Sequence, residues 1–106
     1  MFLQVETTHD FDVWHARLDS TTSARVTARL LKLSMGLWGD HKTISKGLVE
    51  LREHFGAGIR IYVTRQGGRL VVVLAGGDKS SQRADIRYAQ YLLTQLEERT
   101  AHGNTN

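Results

Sequence analysis

The run LVVVLA, residues 70–75, constrains the fold of this chain more than any other stretch. It is apolar without alternation, and glycine pairs at 67–68 and 76–77 bound it on both sides. A short, valine-rich apolar run of this kind is typical of a strand that is covered on both faces. We therefore expect residues 70–75 to form a central strand, buried on both of its faces.

The preceding stretch ELREHFGAGIRIYV, residues 50–63, alternates instead. Because successive side chains of a strand point to opposite faces, the pattern sorts them into two sets. The apolar set of the second strand is Ile59, Ile61 and Val63; the polar set is Arg60, Tyr62 and Thr64, joined by Glu50, Arg52 and His54 of the first strand. We expect the polar set to face solvent, either as an ordinary solvated surface or as a functional one.

The remaining elements follow from periodicity and turn residues. Residues 2–6 predict a strand, residues 9–19 a helix, and residues 22–35 a second helix, with Ser20 or Thr22 as N-cap and Gly36 just past its end. Two short strands should meet near Gly47, and a final helix should start at 80–82 with a buried stripe of Ile86, Ala89, Leu93 and Leu96. The order strand, two helices, four strands, helix predicts an α+β domain over residues 1–100, with 101–106 as a disordered tail.

The composition limits the class of protein. With 106 residues and 41% apolar content, the chain is long enough for one compact domain. It has no cysteine, its five histidines are scattered, and neither a membrane-spanning run nor a signal peptide is visible. We expect no metal and no cofactor, and we take the cytoplasm as the default location.

Positive charge is concentrated in the middle of the chain. The net charge is +3, but residues 41–83 carry eight basic side chains against three acidic ones. Such a distribution favours a polyanionic partner such as nucleic acid. A second basic set, Arg25, Arg29 and Lys32, recurs at helical spacing on the second helix. We interpret that stripe as a solvated helix face or a surface for a partner.

The polar set of the sheet could support cleavage of RNA, whose 2′-hydroxyl is a built-in nucleophile. The protein must then align the attack, move protons and stabilise charge on the phosphate. The planar fork of arginine pairs with phosphate oxygens, and histidine transfers protons near neutral pH. Arg52, His54, Arg60 and Tyr62 would suffice for such a site. The alternative is that they are surface strand residues with no role.

The sequence resembles the RelE/ParE superfamily of toxins from bacterial toxin–antitoxin modules, and within it the HigB-like, phage Gp49-like branch. The motifs that carry the resemblance are F-x-x-W (Phe11, Trp14), GD-x-K (Gly39, Asp40, Lys42), ELR (50–52), G-x-G-x-R-x-Y (Gly56, Gly58, Arg60, Tyr62) and GGDKSSQ-x-x-DI (76–86). Three positions depart from the family pattern: Glu53 replaces an apolar residue, and Ala57 and Ile59 replace a proline and an aromatic of the loop.

The resemblance implies a small domain with a mainly antiparallel, curved sheet, and a ribosome-dependent endoribonuclease that cuts mRNA by 2′-hydroxyl attack. It implies Arg52, Arg60 and Lys79 as catalytic residues, to which the face argument adds His54 and Tyr62. The residues expected to bind RNA or the ribosome are Lys42, Lys46, Arg25, Arg29, Lys32 and Arg83. The expected partners are a helix-turn-helix antitoxin and mRNA on the 70S ribosome.

Two other functions remain compatible with the resemblance. ParE-type relatives poison DNA gyrase on the same fold without enzymatic activity, because a fold does not determine a function. An inactive relative that only binds antitoxin is the third possibility. The trio Arg52, Arg60 and Lys79 favours the endoribonuclease, since phosphate chemistry needs these cations and binding to gyrase does not require them.

Overall fold

The computed structural model describes residues 2–103, with the side chains of residues 2–101. Its elements are β1 (Gln4–Thr7), α1 (His9–Ala16), α2 (Ser20–Ser34), β2 (His41–Ser45), β3 (Leu48–Arg52), β4 (Ile59–Gln66), β5 (Leu70–Asp78), a 3₁₀ turn (Lys79–Ser81) and α3 (Gln82–Gly103). The predicted order of one strand, two helices, four strands and a helix is confirmed. Within the described residues, no helix is both long and apolar enough to cross a membrane.

The five strands form one sheet in the order β1-β5-β4-β3-β2. β1 pairs with β5 in parallel, and the other three pairs are antiparallel. β5 therefore lies inside the sheet, between β1 and β4, and Val71 and Val73 are fully buried while Val72 is 8% exposed. The predicted α+β class and the buried central strand are confirmed.

Helices cover both faces of this sheet. On one face, Phe11 of α1 and Val26 and Leu33 of α2 pack against the aliphatic side chains of β3, β4 and β5. On the other face, Ala89 and Leu93 of α3 pack against Tyr62, Val72 and Leu74. The chain thus buries two cores, one on each side of the sheet. We call the side covered by α3 the α3 face.

The expectation that the polar set of β4 faces solvent is wrong. Arg60 is 5% exposed, and Tyr62 and Thr64 are fully buried under α3. The apolar stripe of the last helix packs against this face of the sheet and excludes solvent from it. The rings and alkyl chains of tyrosine, arginine and threonine supply the apolar contact area.

The helix ends differ slightly from the prediction. α2 starts at Ser20, and its N-cap is Asp19, whose carboxylate accepts a hydrogen bond from the backbone N–H of Thr22 at 3.2 Å. Gly36 follows the helix with φ +82°, a left-handed conformation that suits glycine, as predicted. α3 extends to Gly103, so residues 101–103, expected in the tail, are helical, and residues 104–106 lie outside the described part of the chain.

Gly76 and Gly77 lie inside β5 rather than in a loop before the last helix, as the sequence had suggested. A Cβ on Gly76 would collide with the indole ring of Trp14, and a Cβ on Gly77 would collide with the carboxylate of Asp85. The glycines therefore let α1 and α3 approach β5 closely from opposite faces.

Candidate functional site

The register of the sheet gathers the charged residues of β3 and β4 on the α3 face. Arg52 of β3 lies directly opposite Arg60 of β4, and two pairs further along the strands Glu50 lies opposite Tyr62. Residues paired in this way point to the same face, with Cβ atoms about 5 Å apart. With Gln82 of the first turn of α3 they form what we call the Glu50 cluster: Glu50, Arg52, Arg60, Tyr62 and Gln82.

Glu50 is the centre of this cluster and is fully buried. Its carboxylate accepts hydrogen bonds from Nε of Arg52 at 2.9 Å and from Nε2 of Gln82 at 2.8 Å, and Nε of Arg60 lies 3.9 Å away. Burial by itself raises the pKa of this carboxyl, but the hydrogen bonds from Gln82 and Arg52 outweigh it and hold the pKa below its ordinary value. Glu50 is therefore an anion in the folded protein.

Arg60 is held inside the protein. Its Nη1 donates to the carbonyl oxygens of Ile59 at 3.0 Å and Glu53 at 3.3 Å, while its buried Nε has no hydrogen-bond partner among the described residues. A side chain so placed contributes positive charge from below the surface. Replacing it would remove packing and buried hydrogen bonds, so it is not the neutral surface position that the alternation suggested.

Arg52 is the accessible arginine of the cluster, with 29% of its side chain exposed. Its Nε engages Glu50, whereas none of its terminal nitrogens makes a hydrogen bond to the described residues. A guanidinium carries five N–H donors, four of them on these terminal nitrogens. The ion pair thus fixes the direction of the side chain and leaves its outer edge open for an anion.

Tyr62 is buried between the sheet and α3, on the α3 face, and its hydroxyl has no hydrogen-bond partner among the described residues. Burial, together with the negative charge of Glu50, raises the pKa of this phenol well above its ordinary value of 10. A buried tyrosine of this kind stays neutral at physiological pH. Its place under α3 gives it a packing role.

Lys79 lies at the end of β5, next to the loop that precedes β4. Its alkyl chain packs over Gly58, where an added Cβ would lie 2.6 Å from Cδ of Lys79. Gly58 also has φ +78°, so both the conformation and the contact favour glycine there. The lysine is exposed, two residues beyond Gly77, the neighbour of Arg60 in the sheet.

His54 lies two residues beyond the end of β3, and it lines the same cleft as Arg52 of the Glu50 cluster. Its Nε2 is 2.6 Å from a carboxylate oxygen of Asp40, and 68% of the histidine side chain is exposed. The hydrogen bond from His54 lowers the pKa of Asp40. Both residues border a cleft of about 450 Å³ between α2 and the ends of β2 and β3, which we call the α2 cleft.

Arg29 is buried and connects α2 to neighbouring backbone segments. The expectation that it lies on a solvated or partner-binding stripe is therefore wrong. It is 6% exposed, and it donates to the carbonyl oxygens of Arg52 at 2.6 Å, Trp38 at 2.8 Å and Asp40 at 2.6 Å. It also pairs with the carboxylate of Glu53 at 2.8 Å. This pair explains why a glutamate occupies position 53, where the family resemblance leads one to expect an apolar residue.

The other cations expected to bind RNA or the ribosome are exposed: Arg25, Lys32, Lys42, Lys46 and Arg83. Lys42 pairs with Glu50 across β2 and β3, so it extends the row that contains the cluster toward the sheet edge. Arg25 lies over the ring of Phe55, with its guanidinium carbon 4.5 Å from the ring centre, and borders the α2 cleft with Lys32.

Sequence reasoning missed the roles of Glu50 and Gln82. Glu50 was visible as a member of the polar set of β3, and its alternation with Arg52 placed both on one face. Nothing in the sequence showed that the start of α3 lies against β3, which is what brings Gln82 to the carboxylate. In the described part of the chain, no group of three or more histidine, aspartate or glutamate side chains could hold a metal ion.

Comparison with known proteins identifies the family. The model of the phage-derived protein Gp49-like family (DUF891) matches residues 14–94, which include every residue of the Glu50 cluster. The chain belongs to this family. The Gp49-like family is a RelE-like, toxin-like family of toxin–antitoxin systems.

The chain also has a relative of similar length. An uncharacterized protein of Haemophilus influenzae strain Rd is 41% identical over 97 residues, which cover 91% of this chain and 98% of the relative. No solved structure matches the chain. The Gp49-like assignment therefore rests on sequence, with an α+β fold that agrees with a RelE-like domain.

Proposed function

We propose that this Gp49-like protein is the toxin of a type II toxin–antitoxin module and inhibits translation by endonucleolytic cleavage of mRNA. We place it in the HigB-like branch, acting in the cytoplasm on mRNA held by the 70S ribosome and neutralised by a helix-turn-helix antitoxin. The observation that carries the proposal is the pair Arg52–Arg60. The two residues are direct neighbours across β3 and β4, with Lys79 beyond the end of β5.

The accessible cations of this region define how a scissile phosphate would bind. Nε of Arg52 donates to Glu50, so the terminal nitrogens remain to donate to two phosphate oxygens, the bidentate arrangement that arginine favours. The ammonium group of Lys79 supplies a second positive charge, and buried Arg60 adds a third behind them. Charge that develops on the phosphate in the transition state is stabilised by such a fixed, partly desolvated set of cations.

The reaction is an intramolecular displacement at phosphorus. The 2′-oxygen forms a bond to the phosphorus, the bond from phosphorus to the 5′-oxygen breaks, and the products are a 2′,3′-cyclic phosphate and a 5′-hydroxyl. One proton leaves the 2′-hydroxyl and one reaches the departing 5′-oxygen. In this proposal exposed His54 transfers a proton, while Tyr62 is confined to packing because it is buried and neutral.

Exposed cations around the cluster would hold the rest of the substrate. Lys42 on β2 pairs with Glu50, Arg83 follows Gln82 in the first turn of α3, and Lys46 follows β2 in the hairpin. Each phosphate contact of this kind contributes affinity that falls as salt concentration rises. Arg29 has no part in this surface, because its donors are engaged inside the protein.

The test is expression of the chain in a bacterium without its antitoxin, with protein, RNA and DNA synthesis followed by pulse labelling. An immediate drop in protein synthesis, with plasmid supercoiling unchanged, is the expected result. Altered supercoiling or double-strand breaks with intact mRNA would identify a gyrase poison instead. Normal growth with stable accumulation of the folded chain would identify an inactive relative.

A further inference from the structure

Four large apolar side chains stay in solvent on one side of the molecule. They are Phe2, Leu31, Met35 and Leu37, exposed by 69%, 63%, 46% and 55%. The only other strongly exposed large apolar residues among those described are Tyr88 and Tyr91 on α3. Isolated exposed apolar residues are ordinary, whereas a group of four in one place marks an interaction surface.

The four residues adjoin one another, and we call them the apolar patch. Leu31 lies in the last turn of α2 and Met35, four residues later, is the C-cap of that helix, so the two lie on one side of it. The backbone N–H of Leu3 donates to the carbonyl of Ser34 at 2.7 Å, which brings Phe2 beside the last turn of α2. Leu37 is held next to α2 by a hydrogen bond of 3.0 Å from its N–H to the carbonyl of Lys32.

A small cavity continues the patch. Met35 and Leu37 line it with Leu3, Trp38 and Arg65, and its volume is about 350 Å³. A depression of this size next to exposed leucine and methionine can receive a large apolar side chain. The site therefore combines an apolar rim with a recess, as protein-binding surfaces do where an anchoring residue inserts.

The surroundings of the patch are basic. Residues 20–39, which include most of the patch, contain no aspartate or glutamate, and the same is true of residues 54–77. The two carboxylates that share the α2 cleft with Leu37 and Lys32 are Asp40 and Glu53, and each is already paired inside the chain, Asp40 with His54 and Glu53 with Arg29. Lys32 and Arg65 are exposed at its border, and Arg69 lies next to the start of β1, where its carbonyl accepts from the N–H of Gln4 at 2.7 Å. A partner that covers the patch must therefore carry carboxylates beside its own apolar residues.

Two other occupants fit these features less well. A second copy of the chain would bring Lys32 and Arg65 of both copies together around a two-fold axis, and like charges at an interface are unfavourable. RNA is held by aromatic stacking and phosphate contacts, whereas three of the four patch residues are aliphatic. The aliphatic centre and basic border match an acidic, amphipathic segment of another protein.

We propose that the apolar patch binds an acidic amphipathic helix of the antitoxin. The segment places leucine-like side chains on Leu31, Met35 and Leu37 and carboxylates on Lys32 and Arg65. None of the patch residues belongs to the Glu50 cluster, and Leu37 lines the α2 cleft together with Arg52. The bound antitoxin therefore silences the protein by its bulk beside Arg52. The identity of the partner, but not the existence of the docking surface, rests on the proposed toxin function.

The experiment measures binding of the purified chain to the protein encoded by the adjacent gene, by isothermal titration calorimetry. The double variant Leu31→Gln/Met35→Gln keeps helix-forming residues at exposed positions, so its thermal melt should match the wild type. It should bind about a hundredfold more weakly, because two buried apolar contacts are lost. The matched control Tyr88→Gln/Tyr91→Gln, which alters the other exposed apolar pair, should bind like the wild type.

Charge is tested separately with Lys32→Glu. This variant should weaken binding about tenfold at low salt, and the difference from the wild type should shrink at 1 M salt because the contact is screened. Wild-type affinity in the Leu31→Gln/Met35→Gln variant, or no binding by the wild-type chain, would overturn the proposal. A wild-type homodimer that the double variant converts to a monomer would also overturn it, and would assign the patch to self-association.

Failure of this proposal is distinguishable from failure of the proposed activity. If the wild-type chain binds the adjacent protein through the patch but does not arrest translation, the docking surface stands and the activity is wrong. If it arrests translation and the double variant still binds normally, the activity stands and the docking surface is wrong. If the double variant binds weakly and RNA cleavage is no longer inhibited by the adjacent protein, docking at the patch is what silences the toxin.

Discussion

Nε of Arg52 and the carboxylate of Glu50, two residues apart on β3, form a 2.9 Å ion pair whose glutamate is fully buried and whose arginine is partly exposed. Gln82 also donates a hydrogen bond to Glu50, so the position of the buried carboxylate does not depend on Arg52 alone. The carboxylate therefore orients the side chain of Arg52.

Glu50→Gln should destabilise the fold. The change removes the buried carboxylate beside Arg60 and leaves that guanidinium without its counter-charge. Breaking a buried charge pair costs about 3 kcal/mol of unfolding free energy. Urea denaturation checks this value, with Glu97→Gln on the exposed side of α3 as the control, which should change stability by less than about 0.5 kcal/mol. Equal stability of the two variants would contradict a buried anionic Glu50.

The same residue should make the fold sensitive to acid. The pKa of Glu50 is lowered in the folded protein from its ordinary value of 4.5, so its contribution to stability is complete above pH 4.5. The contribution is lost as the pH falls through the lower, folded value. The melting temperature of the wild type should therefore decrease as the pH is lowered from 4.5. The melting temperature of Glu50→Gln should decrease less over the same pH range. An equal decrease in melting temperature for both proteins would contradict the lowered pKa of Glu50.

Arg29 and Arg25 should respond differently to alanine although both were expected on one basic stripe. Arg29→Ala removes hydrogen bonds to three backbone carbonyls and the ion pair with Glu53, so we expect a loss of about 3 kcal/mol in unfolding free energy. Arg25→Ala removes an exposed side chain and should cost about 1 kcal/mol or less, through its contact with Phe55. Chemical denaturation of both variants measures the difference. An Arg29→Ala protein as stable as the wild type would contradict the internal role of Arg29 and would support its place on a solvated stripe.

Gly76→Ala should destabilise the fold because the new methyl group would meet the indole of Trp14. Overpacking of this kind costs about 1–3 kcal/mol. The matched control is Gly68→Ala in the β4–β5 turn, where no heavy atom lies within 4 Å of the added Cβ. Neither glycine has a positive φ, so the comparison isolates the contact from backbone strain. Equal melting temperatures would show that Trp14 moves aside without cost.

Much of the fold follows from local sequence patterns. The apolar run of β5, the helical stripe of α3 and the turn glycines Gly36 and Gly47 were informative because each pattern lies within the consecutive residues of one element or turn. The coverage of the α3 face was not predicted, since arginine, tyrosine and threonine alternate with aliphatic residues as on a solvated strand. Only the packing of the last helix distinguishes the two cases.

The sequence predicted which residue types form the candidate site, but it did not predict which of them are exposed to solvent. The register of β3 and β4 places Arg52 beside Arg60, as the alternation implied, but the sequence does not reveal that one is buried and the other open. Arg29 shows the same limit more strongly. Its partners are backbone carbonyls at positions 38, 40 and 52, and carbonyls carry no sequence signal at all.

The central claim is that Arg52 binds the scissile phosphate of mRNA. The most direct measurement maps transcript 5′ ends in cells that express the wild type, Arg52→Ala or the control Arg69→Ala, an exposed arginine of the β4–β5 turn. The account predicts new 5′-hydroxyl ends within coding regions for the wild type and the control. It predicts a decrease of about a hundredfold or more for Arg52→Ala at equal protein level and equal melting temperature. Unchanged cleavage by a folded Arg52→Ala protein, or no new ends with the wild type during growth arrest, would contradict it.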